Sequence, residues 1–142
     1  GCKNVIHLHG TLTDLRCEQC NTVFKIGYLA QSEEDICPNC QSKDIRHNVV
    51  MFGESAAKYS HIYEAQSLCE LFIAIGTSGA VIDIVGIAEA FERSLLINPV
   101  QEEHVTMFGS MGRNIDNYFS DFIQENAGDS IVQMNDWIKR YG

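Results

Sequence analysis

Four cysteines in the first third of the chain follow the pattern C-x2-C-x16-C-x2-C, and this spacing constrains the fold more than any other feature. They are Cys17, Cys20, Cys37 and Cys40. Each C-x2-C pair places two thiolates on one tight turn, and two such turns complete the tetrahedral coordination of one zinc ion. Four sulfur ligands leave no position for a water molecule, so the sequence predicts a structural Zn2+ site.

Two disulfide bonds, or a redox-active C-x2-C pair, would also account for these cysteines. The sequence shows no signal peptide, and it carries two further cysteines, Cys2 and Cys69, without evident partners. We therefore favour zinc and expect a cytoplasmic location. Cys69 lies in an apolar stretch and is expected to be buried. No role is predicted for Cys2.

The composition is 45% hydrophobic and 20% charged over 142 residues, which predicts one compact unit with a small metal-bound insert. The longest apolar stretch is interrupted by Thr77, Ser78 and Asp83. It is far shorter than the roughly 20 residues of a bilayer span, so no membrane segment is expected.

Acidic residues outnumber basic ones by 19 to 10, and the formal net charge is −9. Such a chain repels the phosphates of nucleic acids, so we expect no nucleic-acid binding. The acidic surface is better suited to basic peptides, such as lysine-bearing protein segments.

The second half of the chain has the pattern of a βαβ unit. Residues 71–75 form a continuous apolar run, as expected of a central parallel strand covered on both faces. A glycine-rich turn follows, then a helix over about 83–93 and a second buried strand over 94–98. The predicted fold class is α/β, with part of a Rossmann-like parallel sheet and a small inserted four-cysteine zinc ribbon. Residues 1–10 and 49–142 are assigned to the partial Rossmann-like domain, and 11–48 to the ribbon.

Local patterns predict the remaining elements. We expect strands over 5–9, 49–52 and 118–123 (the last at an edge), helices over 55–68 and 129–141, and a loop over 101–117. On the terminal helix, Ile131, Met134, Trp137 and Ile138 are expected to share one face.

The turn Gly76-Thr77-Ser78-Gly79 follows the strongest strand directly. Ligands of open α/β sheets bind at this carboxyl edge, where small residues let backbone amides approach a phosphate or a ribose. Many such turns have no ligand. Asn98, at the end of the next strand, could contact a ribose hydroxyl, or it could be a turn residue before Pro99.

His9 lies at the end of the first predicted strand, next to Gly10. Imidazole exchanges a proton readily near neutral pH, so His9 is a candidate general base, with a hydrogen-bonded structural role as the alternative. The sequence gives His47, His61 and His104 no partner pattern, and we expect them at the surface.

Several motifs together resemble the sirtuins, the NAD-dependent protein-lysine deacylases. They are HLHG at 7–10, the four-cysteine ribbon, RHNVVMFGE at 46–54, CELFIAIGTSGAV at 69–81 and LLIN at 95–98. Their order and spacing match the family over about residues 4–98.

The resemblance implies a role for each motif. His9 matches the catalytic histidine, which acts as a base on the nicotinamide ribose hydroxyls. Val50, Phe52, Gly53 and Glu54 match the segment that pairs with the substrate backbone and lines the acyl-lysine tunnel. Gly76, Thr77 and Ser78 match the turn that contacts NAD, and Asn98 matches a contact to the adenosine ribose. Acyl-lysine proteins are the implied partners, and acyl-chain preference stays open.

The glycine-rich GAGxSxxSGIPDFR loop and the QNID segment of sirtuins have no counterpart in this sequence. We therefore expect that the chain corresponds to a C-terminal part of such an enzyme and that the isolated chain is inactive. ADP-ribosyl transfer on the same fold and a catalytically silent zinc-binding module are the alternatives. An incomplete sheet would also leave an unpaired strand edge, through which copies of the chain could associate.

Overall fold

The computed structural model describes residues 3–106 and 109–142. The chain forms two units, of which the first ends at Tyr63 and the second begins at Glu64. The assignment of 1–10 and 49–142 to one domain and of 11–48 to an insert stays a prediction. Cys2 lies outside the described residues.

The first unit contains a three-stranded antiparallel sheet in the order β2-β1-β3. Its strands are β1 (Gly10–Cys17), β2 (Val23–Lys25) and β3 (Ile45–Val49). A small core of Leu15, Cys17, Cys37 and Ile45 is buried beside the sheet, with Phe24 and Ile26 packed against it. Half of this core therefore consists of cysteine.

β1 connects the cysteine cluster to the predicted catalytic histidine. Cys17 is its last residue, and His9 precedes its first residue, Gly10. A Cβ atom at Gly10 would overlap the carbonyl oxygen of Asn48 on β3, and the φ of Gly10 is +80°. Only glycine permits this close approach of the two strands, which holds His9 beside the end of β3.

Two strands predicted in this unit were wrong in position. Residues 5–9 form no strand, and Val5 and Ile6 are 57% and 54% exposed, so their apolar pattern is not matched by burial. The strand predicted over 49–52 ends at Val49. The helix predicted over 55–68 is confirmed in part, as a 3-10 turn over Ala57–Tyr59 and α1 (Ser60–Gln66).

The second unit contains the predicted parallel sheet, in the order β4-β5-β8. β4 (Leu71–Ile75), α2 (Ile84–Ala88) and β5 (Arg93–Ile97) form the βαβ unit, and β8 (Asp121–Ile123) adds the third strand. The α/β class is thus confirmed. The central strand is β5, however, and not the run at 71–75, because β5 has neighbours on both sides whereas β4 and β8 lie at the edges of the described sheet.

Successive residues of β5 pack into cores on opposite faces of the sheet. On one face Leu96 packs with Ala74 of β4, with α2 and with Phe119. On the other, Leu95 and Ile97 pack against Trp137 of α3 (Ile131–Tyr141).

The helix face predicted for 129–141 was wrong in part. Trp137 and Met134 do face the core, together with Tyr141. Ile131 and Ile138 are 52% and 36% exposed, because the contact runs along the 134–137–141 line of the helix. The Trp137 indole N–H also donates to the Asp121 carboxylate at 2.9 Å.

The loop predicted over 101–117 was wrong. The strands β6 (Glu103–Thr106) and β7 (Gly109–Asn114) pair antiparallel, and a 3-10 turn over Ile115–Tyr118 follows. Ile115 is fully buried in the α2 face of the core, which anchors this polar segment.

Two single-residue expectations were also wrong. His104 is 9% exposed and packs edge-on against Tyr118, although a surface position was expected. Cys69 is exposed. Within 3–106 and 109–142, no helix has the length and apolar character needed to span a membrane.

Leu95→Ala should lower the free energy of unfolding of the second unit by about 2–5 kcal/mol, because Leu95 is fully buried against Trp137. Denaturant titration followed by Trp137 fluorescence measures this. The matched control Leu68→Ala removes a side chain that is 85% exposed, and its effect should stay within about 0.5 kcal/mol. Equal effects of the two substitutions would contradict the assigned core.

Candidate functional site

The two C-x2-C segments fold into turns with the same hydrogen bond. The Asn21 amide donates to the Cys17 carbonyl at 2.9 Å, and the Gln41 amide donates to the Cys37 carbonyl at the same distance. Asn21 and Gln41 have φ values of 58° and 62°. Each turn thus closes immediately after its second cysteine.

The four sulfurs of these turns converge. All four Sγ atoms lie within 4.8 Å of one another, and the Cys17–Cys40 and Cys20–Cys37 pairs are each 3.5 Å apart. Four sulfurs at about 2.3 Å from one zinc ion would be separated by roughly 3.8 Å, whereas a disulfide requires about 2.05 Å. The donor set therefore fits a tetrahedral zinc ion, and all four cysteines are free thiols in the structure.

The surroundings of the sulfurs favour some thiolates and oppose others. The Thr22 hydroxyl, helped by the Thr22 amide, lowers the pKa of Cys20 to about 6. The Ser42 amide favours the Cys40 thiolate, but the Cys20 sulfur and burial outweigh it and raise the pKa of Cys40 to about 12. Four negative sulfurs this close together require a cation, and a divalent ion would supply that charge.

His9 makes two contacts that fix its place. Its Nε2 atom lies 2.7 Å from the Tyr59 hydroxyl, and the two rings meet edge-on with centroids 5.7 Å apart. Its carbonyl accepts the Val50 amide at 2.9 Å. The structure thus brings together two predicted site residues, His9 and Val50, while the imidazole remains exposed.

The segment Val50–Glu54 is called here the substrate loop, after the role that the sirtuin resemblance predicts for it, and it is closed by its last residue. The Glu54 carboxylate accepts the Met51 amide at 2.9 Å, and the Glu54 amide donates to the Met51 carbonyl at 3.0 Å. Gly53 has a φ of +84°, and the Phe52 side chain is fully exposed. The loop is therefore a closed turn that presents Phe52 outward.

A network of charged groups adjoins the substrate loop. Arg46 donates to Glu54 at 2.6 Å and to Glu18 at 3.0 Å, and Arg16 donates to Glu18 at 2.9 Å. The hydrogen bond from Arg16, followed by that from Arg46, lowers the pKa of the Glu18 carboxyl. The Met51 amide and then Arg46 lower the pKa of the Glu54 carboxyl. Both carboxylates are thereby held in their charged form.

In the second unit, Asn98 holds the glycine-rich turn. Its side-chain oxygen accepts the Thr77 amide at 3.1 Å, and its side-chain amide donates to the Thr77 carbonyl at 2.8 Å. Asn98 is 3% exposed, and it lines a small cleft together with Gly76, Thr77 and Ser78. The structure thus gives Asn98 a positioning contact, and a contact to a ribose stays a prediction.

Three residues near the predicted site were not foreseen. All three make contacts described above, and Arg46 begins the motif at 46–54, but no role was predicted for Tyr59, Arg46 or Glu18. The available signal was the pair of opposite charges at the two ends of the segment 46–54.

Comparison with known proteins shows which family has these motifs. A family model described as "Sir2 family" matches residues 1–83, which include the four cysteines, His9 and the substrate loop. The chain belongs to the Sir2 family. The sirtuin resemblance of the sequence is thus confirmed.

Curated Sir2 relatives include an NAD-dependent protein deacylase of Campylobacter jejuni, 49% identical over 96 residues, or 68% of this chain and 41% of that protein. A protein of the same name from Bdellovibrio bacteriovorus is 31% identical over 134 residues, or 87% of this chain and 56% of that protein. The chain therefore spans about two fifths to just over half the length of these relatives.

Solved Sir2 structures share the fold. A Sir2 homologue in complex with NAD matches 99% of this chain and 53% of its own, with a TM-score of 0.74 and 23% identity. Sir2Af2 bound to a myristoylated histone peptide matches 99% of this chain and 59% of its own, with a TM-score of 0.63 and 22% identity.

The cysteine cluster should bind one zinc ion per chain. Cys37→Ser removes a buried ligand and should abolish stoichiometric binding and unfold the ribbon, since metal binding contributes directly to folding in such sites. Cys69→Ser, which changes an exposed cysteine outside the cluster, should retain the metal. Elemental analysis of the purified variants measures this, and a Cys37→Ser protein with one full equivalent of zinc would contradict the assignment.

Proposed function

We propose that this chain acts in the NAD-dependent deacylation of protein lysines. The reaction removes an acetyl or another acyl group and releases nicotinamide and O-acyl-ADP-ribose. The observation that best supports this function is the pair of contacts made by His9. Its ring contacts Tyr59, and its carbonyl accepts a hydrogen bond from the Val50 amide. The candidate base and the candidate peptide-binding segment are therefore joined within one unit. Membership of a family whose curated relatives are named deacylases supports this.

His9 is proposed to accept a proton from a ribose hydroxyl of NAD through an exposed imidazole nitrogen. The hydrogen bond to Tyr59 fixes the orientation of the ring, as a general base requires. The acyl oxygen of the lysine amide bonds to the anomeric carbon while the bond to nicotinamide breaks. The ribose hydroxyl, as it gives its proton to His9, then bonds to the former amide carbon. Water adds to that carbon while its bond to the lysine nitrogen breaks, so that the acyl group ends as an ester on ADP-ribose and the lysine leaves as a protonated amine.

The substrate loop is proposed to bind the peptide by strand-like pairing. Main-chain hydrogen bonds of this kind give affinity with little dependence on sequence. The loop continues directly from β3, and the exposed Phe52 provides apolar surface for an acyl chain. The net charge of −9 favours basic, lysine-bearing segments over acidic ones.

The turn at Gly76, Thr77 and Ser78 is proposed to contact the ribose and phosphates of NAD. It follows the carboxyl end of β4, the usual position of nucleotide sites in parallel sheets. The four-cysteine site is proposed to hold zinc as a structural ion. A cytoplasmic location and self-association through the edge of the sheet remain predictions.

His9→Ala should reduce nicotinamide release with an acetyl-lysine peptide by about 100-fold or more, because a positioned base contributes at least this much. Because the chain spans 41% of its Campylobacter relative, the assay uses the product of the complete reading frame. His7→Ala, an exposed histidine two residues away, is the matched control and should retain activity. Equal rates for both variants, or no deacylation by the unaltered protein, would contradict the proposal.

Asn98→Ala should weaken NAD binding about tenfold, since it removes two hydrogen bonds that hold Thr77 in the turn. Isothermal titration of the same protein with NAD measures the affinity, and thermal unfolding shows whether the fold is kept. Asn117→Ala, an exposed asparagine of the same unit, is the control. Unchanged NAD affinity in a folded Asn98→Ala protein would show that the turn is not part of the NAD site.

A further inference from the structure

A carboxylate within the first zinc-binding turn takes part in the charged network. Glu18 lies between the metal ligands Cys17 and Cys20, and its amide donates to the Asp44 carbonyl at 2.9 Å. Its Oε1 atom accepts hydrogen bonds from Arg46 at 3.0 Å and from Arg16 at 2.9 Å. The position of this carboxylate therefore depends on the turn that the metal closes.

Arg46 connects this turn to the substrate loop. Besides Glu18, its guanidinium reaches the Glu54 carboxylate at 2.6 Å and the Val49 carbonyl at 3.1 Å. Three different nitrogens make these contacts, which requires the planar fork of arginine. Glu54 in turn holds the Met51 amide. A continuous series of contacts thus runs from the zinc-binding turn through Arg46 to the loop.

We propose that the zinc site controls the order of the substrate loop through Glu18, Arg46 and Glu54, which act as positioning residues. This inference rests on the proposed function, because the loop is the proposed peptide-binding segment. Loss of the metal would release the turn that holds Glu18, and Arg46 would then keep only its contacts to Glu54 and Val49. The loop would become more mobile, and peptide binding would weaken.

The coupling should be modest but measurable. The charged side chains of the network are 26–40% exposed, and single ion pairs at such positions contribute little. Here four charged side chains contact one another in series. Two of them, Arg46 and Glu54, also bind backbone groups. Coupling between the binding free energies of two sites is reciprocal, so ordering the loop should also strengthen zinc binding. Such changes in affinity act mostly on the dissociation rate, so zinc should be released more slowly.

Hydrogen exchange of the Met51 and Glu54 amides, followed by mass spectrometry on the zinc-loaded chain, tests the inference without any peptide. Glu18→Ala should speed this exchange about threefold to tenfold while one zinc stays bound, and Glu18→Gln should have a smaller effect. Arg46→Lys should behave like Arg46→Gln, because a single ammonium group cannot make all three contacts.

Glu33→Ala is the matched control. Glu33 is an exposed carboxylate between the two zinc-binding turns, and it makes no ion pair with any residue among 3–106 and 109–142. In the Glu33→Ala chain, the Met51 and Glu54 amides should exchange at the same rate as in the unaltered chain. If Glu18→Ala left the exchange unchanged while Arg46→Gln increased it, Arg46 would order the loop alone and the link to the metal would be overturned.

A second measurement separates this inference from the proposed function. Zinc release to a chromophoric chelator should be faster in Arg46→Gln than in the unaltered chain, with no peptide present. An acetyl-lysine peptide should slow the release from the unaltered chain if the loop binds it. A faster release in Arg46→Gln without any peptide effect would support the coupling and count against the proposed peptide site, whereas equal release rates would overturn the coupling.

Discussion

The convergence of four sulfurs on one point is the constraint on which the first unit depends. Among residues 3–63, the buried ones are Leu15, Ile45 and two of the four cysteines, which is too little apolar surface to stabilise three short strands. A metal ion would join the end of β1 to the segment that leads into β3. His9 directly precedes the other end of β1. The pairing of β1 with β3, which begins beside the metal-binding turns, therefore also determines where the candidate base lies.

The second unit is organised by hydrophobic burial. β5 supplies alternate residues to two cores, and its end places Asn98 where the side chain can hold Thr77. The two units therefore position their candidate functional segments differently. In the first, the Tyr59 hydroxyl and the Val50 amide hold the candidate base, and charged groups hold the substrate loop. In the second, a buried amide fixes a turn at the edge of a sheet.

The sequence was sufficient for features that depend on local spacing. The four cysteines, the βαβ unit and the turn after residue 75 were predicted because each follows from residue type and distance along the chain. The strand order could not be predicted from the sequence. The apolar run at 71–75 has the pattern of a central strand whether its neighbours lie on one side or on both. The contacts of Tyr59 with His9, and of Arg46 with Glu18, join residues 50 and 28 positions apart, which no local pattern indicates.

His9, the substrate loop and the turn at 76–78 are proposed to serve the NAD-dependent transfer of an acyl group from lysine. The most direct measurement is mass spectrometry of all products after the complete gene product reacts with NAD and an acetyl-lysine peptide. We expect equal amounts of free lysine peptide, nicotinamide and O-acetyl-ADP-ribose. ADP-ribose attached to protein with the peptide still acetylated, or free acetate without nicotinamide, would contradict it.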